Sequence, residues 1–214
     1  MHANSLIWYA AYGSNIQKKR FMYYIKGGTP RGSSRPHPGC KDQTDPRDDR
    51  EMRMNRSLYF ARRAKDWNDG GVAFVGQDTV EGTGTLGRLY LISAGQFMDI
   101  FSQENGLRSA SIDFDRVKKK GFLDIAESWY GRVLYAGKES GCPVFTFTSP
   151  LPLNDISPNA PSDAYLRTVF AGIWETHRLT IDEIVYYMCT KPGIKGNYSW
   201  GELHELAMKS RNPA

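Results

Sequence analysis

The chain has 214 residues, 40% of them hydrophobic and 24% charged, with a net charge of +5. Such a chain holds one sizeable domain or two small ones with a buried core, in a composition ordinary for a soluble globular protein. The positive charge falls in short, scattered groups (Lys18-Lys19-Arg20, Arg62-Arg63, Lys118-Lys119-Lys120) without an RNP, helix-turn-helix or zinc-finger pattern, so nucleic acid is not an expected partner. Three widely spaced cysteines, Cys40, Cys142 and Cys189, argue against a disulfide framework and for a reducing compartment. With no apolar run of membrane-spanning length and no leader pattern, the expected location is the cytoplasm, with no membrane partner.

Leu6 to Tyr9 is apolar and aromatic and predicts a buried strand. It breaks at Gly13-Ser14-Asn15 into a tight turn, after which Ile16, Phe21 and Tyr24 are spaced for one face of a short helix. Strand, glycine turn and helix start leave backbone N–H groups free for an anion or a developing oxyanion, although most such turns are only connections. Residues 27–57 are crowded first with breakers and then with charge, and are expected to form a long excursion, either a cover for a cleft or a passive insertion.

Strands are predicted at Ser57–Ala61, Val72–Val75 and Gly82–Ile92, with a turn over Asp66–Gly71. Ser93 is placed to cap a helix whose stripe of Phe97, Ile100 and Phe101 ends at Gln103-Glu104-Asn105-Gly106. Trp129–Ala136 and Pro143–Thr148 read as a strand pair, followed by a proline-rich connector from Ser149 to Pro161. A helix opens at Ser162–Tyr165, Thr180 and Glu183 form a capping box for Ile181–Cys189, and a last helix covers Trp200 to Met208. Trp8, Trp129, Trp174 and Trp200 read as core or interface residues, with the core as the default. Strands first and helices mostly last, without repeats or βαβ alternation, predict one α+β domain over residues 1–214.

Glu104 is the acidic residue that stands out. It closes an apolar helix beside a glycine, and reads either as a solvated surface charge or as a carboxylate turned into a cleft with its pKa raised for proton transfer.

Four blocks in order resemble the gamma-glutamylcyclotransferase-like family, across residues 6 to about 190. They are Ala11-Tyr12-Gly13-Ser14-Asn15, Trp67 to Val75, Gly87–Phe101 with Glu104-Asn105-Gly106, and Pro161–Leu166 with Ala171-Gly172. The resemblance implies a small mixed β-barrel or strongly curved sheet flanked by helices, and release of 5-oxoproline from a γ-glutamyl amine or amino acid. It makes Glu104 the general base and then acid, and Tyr12, Gly13, Ser14 and Asn15 the substrate-binding loop. Tyr165 is either a hydroxyl on the pocket wall or a core aromatic at a helix end. The substrate's own amine attacks its γ-carbonyl, so the chemistry needs no cofactor, metal or covalent nucleophile. The expected partner is a small γ-glutamyl molecule, and the expected state a monomer or homodimer.

The chain departs from the family pattern twice. Family enzymes often carry a tyrosine soon after the catalytic Glu, and Leu107 to Glu127 contains none; the 27–57 insertion stands where compact members have a short link. Two other readings stay open: a non-catalytic binding protein on the same scaffold, and a metal-dependent amide hydrolase or deacetylase, a label that some bacterial sequences of this kind carry. Against the latter, His2, His37, His177 and His204 lack metal-binding spacing, and His37 with Cys40 supplies two ligands at most.

Overall fold

The computed structural model of the chain describes residues 1–30, 36–80 and 84–211, so the parts of the expected excursion, third strand and polar tail at 31–35, 81–83 and 212–214 lie outside the described residues. The chain forms two compact units. The first takes Met1–Ala11, Lys19–Met52 and Arg88–Pro150; the second takes Tyr12–Lys18, Arg53–Gly87 and Leu151 onward.

A mixed six-stranded sheet dominates the first unit. Its strands are β1 (Leu6–Ala11), β2 (Asp48–Met54), β5 (Thr85–Ser93), β6 (Phe122–Asp124), β7 (Arg132–Glu139) and β8 (Cys142–Thr148), in the order β2-β5-β1-β8-β7-β6. The sheet is curved and does not close into a barrel. β1 lies inside it, antiparallel to β5 and parallel to β8, and Ile7 to Ala11 are all buried. A strand covered on both faces is apolar throughout rather than alternating, as its sequence shows. β7 and β8 form a hairpin through Ser140-Gly141, whose positive φ angles of 46° and 80° match the twist of the two strands.

Helices α1 (Lys18–Lys26), α2 (Ala94–Glu104) and α3 (Phe114–Lys120) accompany this sheet. Their apolar faces enter one aromatic core, in which Phe21 stacks on Tyr90 at 3.8 Å between ring centroids and Phe97 meets Tyr9 edge-on at 5.7 Å. α2 starts at a complete capping box, the Ser93 hydroxyl accepting from Gln96 N and the Gln96 side chain from Ser93 N. Gln96 is buried, yet its amide also donates to the carbonyls of Asp42 and Thr44 at 3.0 and 2.9 Å, so the whole group is satisfied.

Those last bonds revise the reading of residues 27–57. The excursion ends in a strand, β2, whose charged run DDREMRM occupies a sheet edge where Arg50, Glu51 and Arg53 stay in water and Met54 is buried. The preceding segment is tied down, with Cys40 N donating to Ile25 O, Lys41 N to the Asp99 carboxylate and Arg47 N to Leu91 O. Two further elements, α3 and β6, occupy residues between Leu107 and Ser128 that carried no predicted structure. α3 is short, with only Phe114 and Val117 buried, and depends on an Asp113 N-cap and on Gly121 at φ 84°.

The second unit is a hairpin with helices. β3 (Arg56–Ala64) and β4 (Gly70–Thr79) pair antiparallel, joined by a 3₁₀ turn at Lys65–Trp67 and the left-handed Asn68 and Asp69. α4 (Asp163–Thr176), α5 (Ile181–Cys189) and α6 (Trp200–Ser210) follow, each opened by a hydroxyl cap: Ser162, Thr180 and Ser199. The expected capping box of Thr180 and Glu183 is present in full. Of the four tryptophans for which the core is the default, Trp129 and Trp200 are exposed, at 39% and 46%, while Trp8 is buried. No helix among the described residues is long and apolar enough to cross a membrane.

Candidate functional site

The Tyr12–Asn15 loop belongs to the second unit. Tyr12 and Asn15 are buried, and the chain turns through a 3₁₀ helix at Ser14–Ile16. Ile16 N donates to Gly13 O at 3.0 Å and Gln17 N to Ser14 O at 3.3 Å. The amides of Gly13 and Ser14 precede the first of these bonds and have no protein acceptor among the described residues. An opening turn of this kind offers donors to an anion.

Tyr165 and α4 shape the loop from the same unit. The Tyr165 side chain is buried, edge-on to Trp67 at 4.9 Å and to Phe60 at 6.3 Å. Its hydroxyl accepts a bond from Ala73 N at 3.0 Å and lies 2.8 Å from where a Cβ on Gly13 would stand. Tyr165 is therefore a core aromatic whose polar tip abuts the loop, and Gly13 is a glycine because that tip occupies the space of a side chain. Gly172 on α4 has the same relation to the end of the turn, since a Cβ there would stand 2.4 Å from Gln17 N. Lys18 N is satisfied by the Glu175 carboxylate at 3.0 Å.

Glu104 lies in the first unit, as the last residue of α2, and is half-buried. Its neighbourhood comes from α1. The Tyr24 hydroxyl donates to the Glu104 carboxylate, from a side chain only 5% exposed. Burial first, and then the negative Glu104, hold the Tyr24 phenol well above the usual tyrosine range, with the Arg20 guanidinium pulling the other way. Tyr24 therefore stays protonated and remains a donor at any physiological pH.

The backbone of Tyr24 is held as well. Its carbonyl accepts from Gln103 Nε2 at 3.0 Å and from the Cys40 thiol at 3.3 Å, and the His37 ring packs on the Tyr24 ring at 4.1 Å. Burial, followed by the negative Asp99 and Asp42, pushes the Cys40 thiol up to about 12. That value describes a packed, inert thiol rather than a metal ligand or nucleophile. Beyond the helix, Asn105 donates to Phe101 O at 2.8 Å and accepts from the Ser128 hydroxyl at 2.5 Å, while Gly106 at φ 64° ends the turn. Among the described residues no group of three or more His, Cys, Asp or Glu is placed to hold a metal ion.

The sequence singles out Glu104 but not Tyr24, Gln103 and Cys40, which surround it in the first unit. Tyr24 carries a weak signal, since it is a hydroxyl-bearing ring in an otherwise apolar stripe with Phe21 and Ile25.

No family model matches the chain. Over 200 residues it is 35% identical to "Histone deacetylase 5" of Arabidopsis thaliana, in a match covering 85% of this chain and 30% of that protein. The chain thus spans under a third of the length of the curated relative it matches. Among solved structures, a "Gamma-glutamyl cyclotransferase" superposes with a TM-score of 0.49 at 14% identity, over 96% of this chain and 99% of that one. The human "uncharacterized protein loc79017" superposes with a TM-score of 0.51 at 14% identity, over 95% and 99%. The chain shares the fold of that human protein.

Proposed function

We propose that the protein is a gamma-glutamylcyclotransferase-like enzyme that releases 5-oxoproline from a γ-glutamyl amine or amino acid. The α-amine of the substrate attacks its own γ-carbonyl carbon; a ring C–N bond forms and the amide C–N bond to the departing amine breaks. Glu104 takes the proton from the attacking nitrogen and returns it to the departing one. Nucleophile and electrophile belong to one molecule, so holding it bent removes much of the entropic barrier. The amides at Gly13 and Ser14 bind the substrate carboxylate or the developing oxyanion. The reading requires one substrate to reach both the Glu104 carboxylate and those amides. Acid and base work by a single carboxylate accounts for the reaction as a lyase-type cyclisation without a cofactor, in a cytoplasmic setting.

The observation that carries the reading is the held state of Glu104, a half-buried helix-terminal carboxylate with a buried tyrosine donating to it. Exposed Asp163 also accepts from a tyrosine hydroxyl, that of Tyr198, but at Glu104 both the carboxylate and the phenol are withdrawn from water. The order of the four sequence blocks and the name of the cyclotransferase that superposes on the chain add to it. Incubation with γ-glutamyl amino acids and amines, with chromatography for 5-oxoproline, tests it; product formation separates an enzyme from a binding protein on the same scaffold.

A second reading, metal-dependent amide hydrolysis, has the name of the Arabidopsis protein on its side. Such a centre needs three or four converging ligands, and the described residues present no such group. Metal analysis of purified protein decides it: stoichiometric zinc supports hydrolysis, and sub-stoichiometric metal removes it.

A further inference from the structure

We infer that Tyr24 is the positioning residue of Glu104, and that the excursion after α1 holds Tyr24 in place. The inference rests on the proposed role of Glu104 as general base, and goes beyond it by naming what orients the carboxylate.

Helix ends are the least rigid parts of helices, because their last carbonyls lack partners within the helix. α1 and α2 both end near Tyr24, and the two ends are stapled together. Gln103 and Glu104, adjacent on α2, bind opposite ends of one residue, the Gln103 amide its carbonyl and the Glu104 carboxylate its hydroxyl. A carboxylate held by such a donor has fewer rotamers open to it than one in water. The excursion supplies the rest of the grip. The Cys40 thiol donates to the same Tyr24 carbonyl, Cys40 N donates to Ile25 O, and His37 packs on the Tyr24 ring. The segment is itself pinned to α2 through Gln96 and Asp99.

The charged and titratable groups around the Tyr24 hydroxyl are Glu104 from α2, Arg20 from its own helix and Tyr9 from β1, with His37 against the ring. Removing the hydroxyl while keeping the ring isolates the bond to Glu104. In Tyr24→Phe, kcat for 5-oxoproline release is expected to fall between about tenfold and about a hundredfold with KM little changed, the loss expected when a reacting group is misplaced by an ångström or less. The acid limb of the pH–rate profile should move to higher pH, because a carboxylate deprived of a donor to its charged form holds its proton longer. His37→Ala should move both readouts in the same direction by less.

A second measurement is independent of turnover. In protein labelled with ¹³C at the glutamate carboxyls, the Glu104 resonance, assigned by its loss in Glu104→Gln, should titrate at higher pH in Tyr24→Phe than in the wild type. An unchanged midpoint overturns the inference whether or not the protein is active. A moved midpoint in a wild-type protein that makes no 5-oxoproline keeps the positioning and removes the cyclotransferase reading. His37→Ala indistinguishable from wild type in both measurements overturns the part assigned to the excursion.

Discussion

The Tyr24 hydroxyl hydrogen-bonds the Glu104 carboxylate, from the last turn of one helix to the last residue of another. A negative charge at the carbonyl end of a helix is opposed by the helix dipole, and the buried phenol supplies Glu104 with a compensating donor. The exposed Asp163 also accepts from a tyrosine, Tyr198, but Glu104 is half-buried and its donor is buried.

The contact between Gly13 and Tyr165 makes a paired prediction. Gly13→Ala sets a methyl 2.8 Å from the Tyr165 hydroxyl and is expected to cost about 1–3 kcal/mol of stability. Tyr165→Phe leaves Ala73 N without its acceptor, and is expected to cost about 1–3 kcal/mol. In the double variant the methyl no longer meets an oxygen, so the combined loss should fall below the sum of the two. Urea denaturation of the four proteins reads the cycle; strict additivity would mean that the two residues do not compete for one space.

Gly172 is a harsher case. Its substitution by Ala places a methyl against backbone, 2.4 Å from Gln17 N, and backbone in a packed turn yields less than a side-chain tip. Expected is a loss of more than about 3 kcal/mol, read as a lower denaturation midpoint, together with lost activity because the Ser14–Ile16 turn must move.

α2 carries Glu104 at one end and its cap at the other. Ser93→Ala removes the hydroxyl that accepts from Gln96 N and should cost about 1 kcal/mol. The midpoint of denaturation should fall with its slope unchanged. Because Gln96 remains bound to Asp42 and Thr44, kcat should change by less than in Tyr24→Phe.

What the sequence discloses and what it hides follow from how each element is stabilised. β1 is legible because a strand covered on both faces is written as an apolar run, and α5 because Thr180 and Glu183 mark its first turn. β2 is hidden because an edge strand facing water needs no apolar side chain, and DDREMRM resembles a loop. α3 is hidden because two buried residues make no stripe. The core default for Trp129 and Trp200 rests on hydrophobicity, which does not tell on which face a ring will lie. Glu104 and the Tyr12–Asn15 loop stand out through local punctuation. The hydroxyl of Tyr24 does not, because helical spacing reports that a ring is buried and is silent on the distant side chain it meets.

Cys40 gives a pH-dependent prediction. The folded thiol keeps its proton up to about 12, whereas an unfolded one releases it near about 8.5. Its contribution to stability is therefore fully present below about 8.5 and is lost as the pH rises towards 12. At pH 8 a thiol reagent should modify the half-buried Cys142 and Cys189 well before Cys40, which should react only as the protein unfolds. Prompt labelling of Cys40 in the native protein would contradict its packing between α1 and α2.

The most direct measurement is the rate of 5-oxoproline formation from a panel of γ-glutamyl amino acids and amines by the wild type and by Glu104→Gln. Glutamine preserves the size of the side chain and can still accept from Tyr24, so the fold and thermal stability should hold while turnover falls by about a hundredfold or more. Wild-type activity lost in this variant, with stability retained, is the predicted result. Equal rates of product formation by the two proteins would contradict the assignment of Glu104, and no product from any member of the panel would contradict the proposed reaction itself.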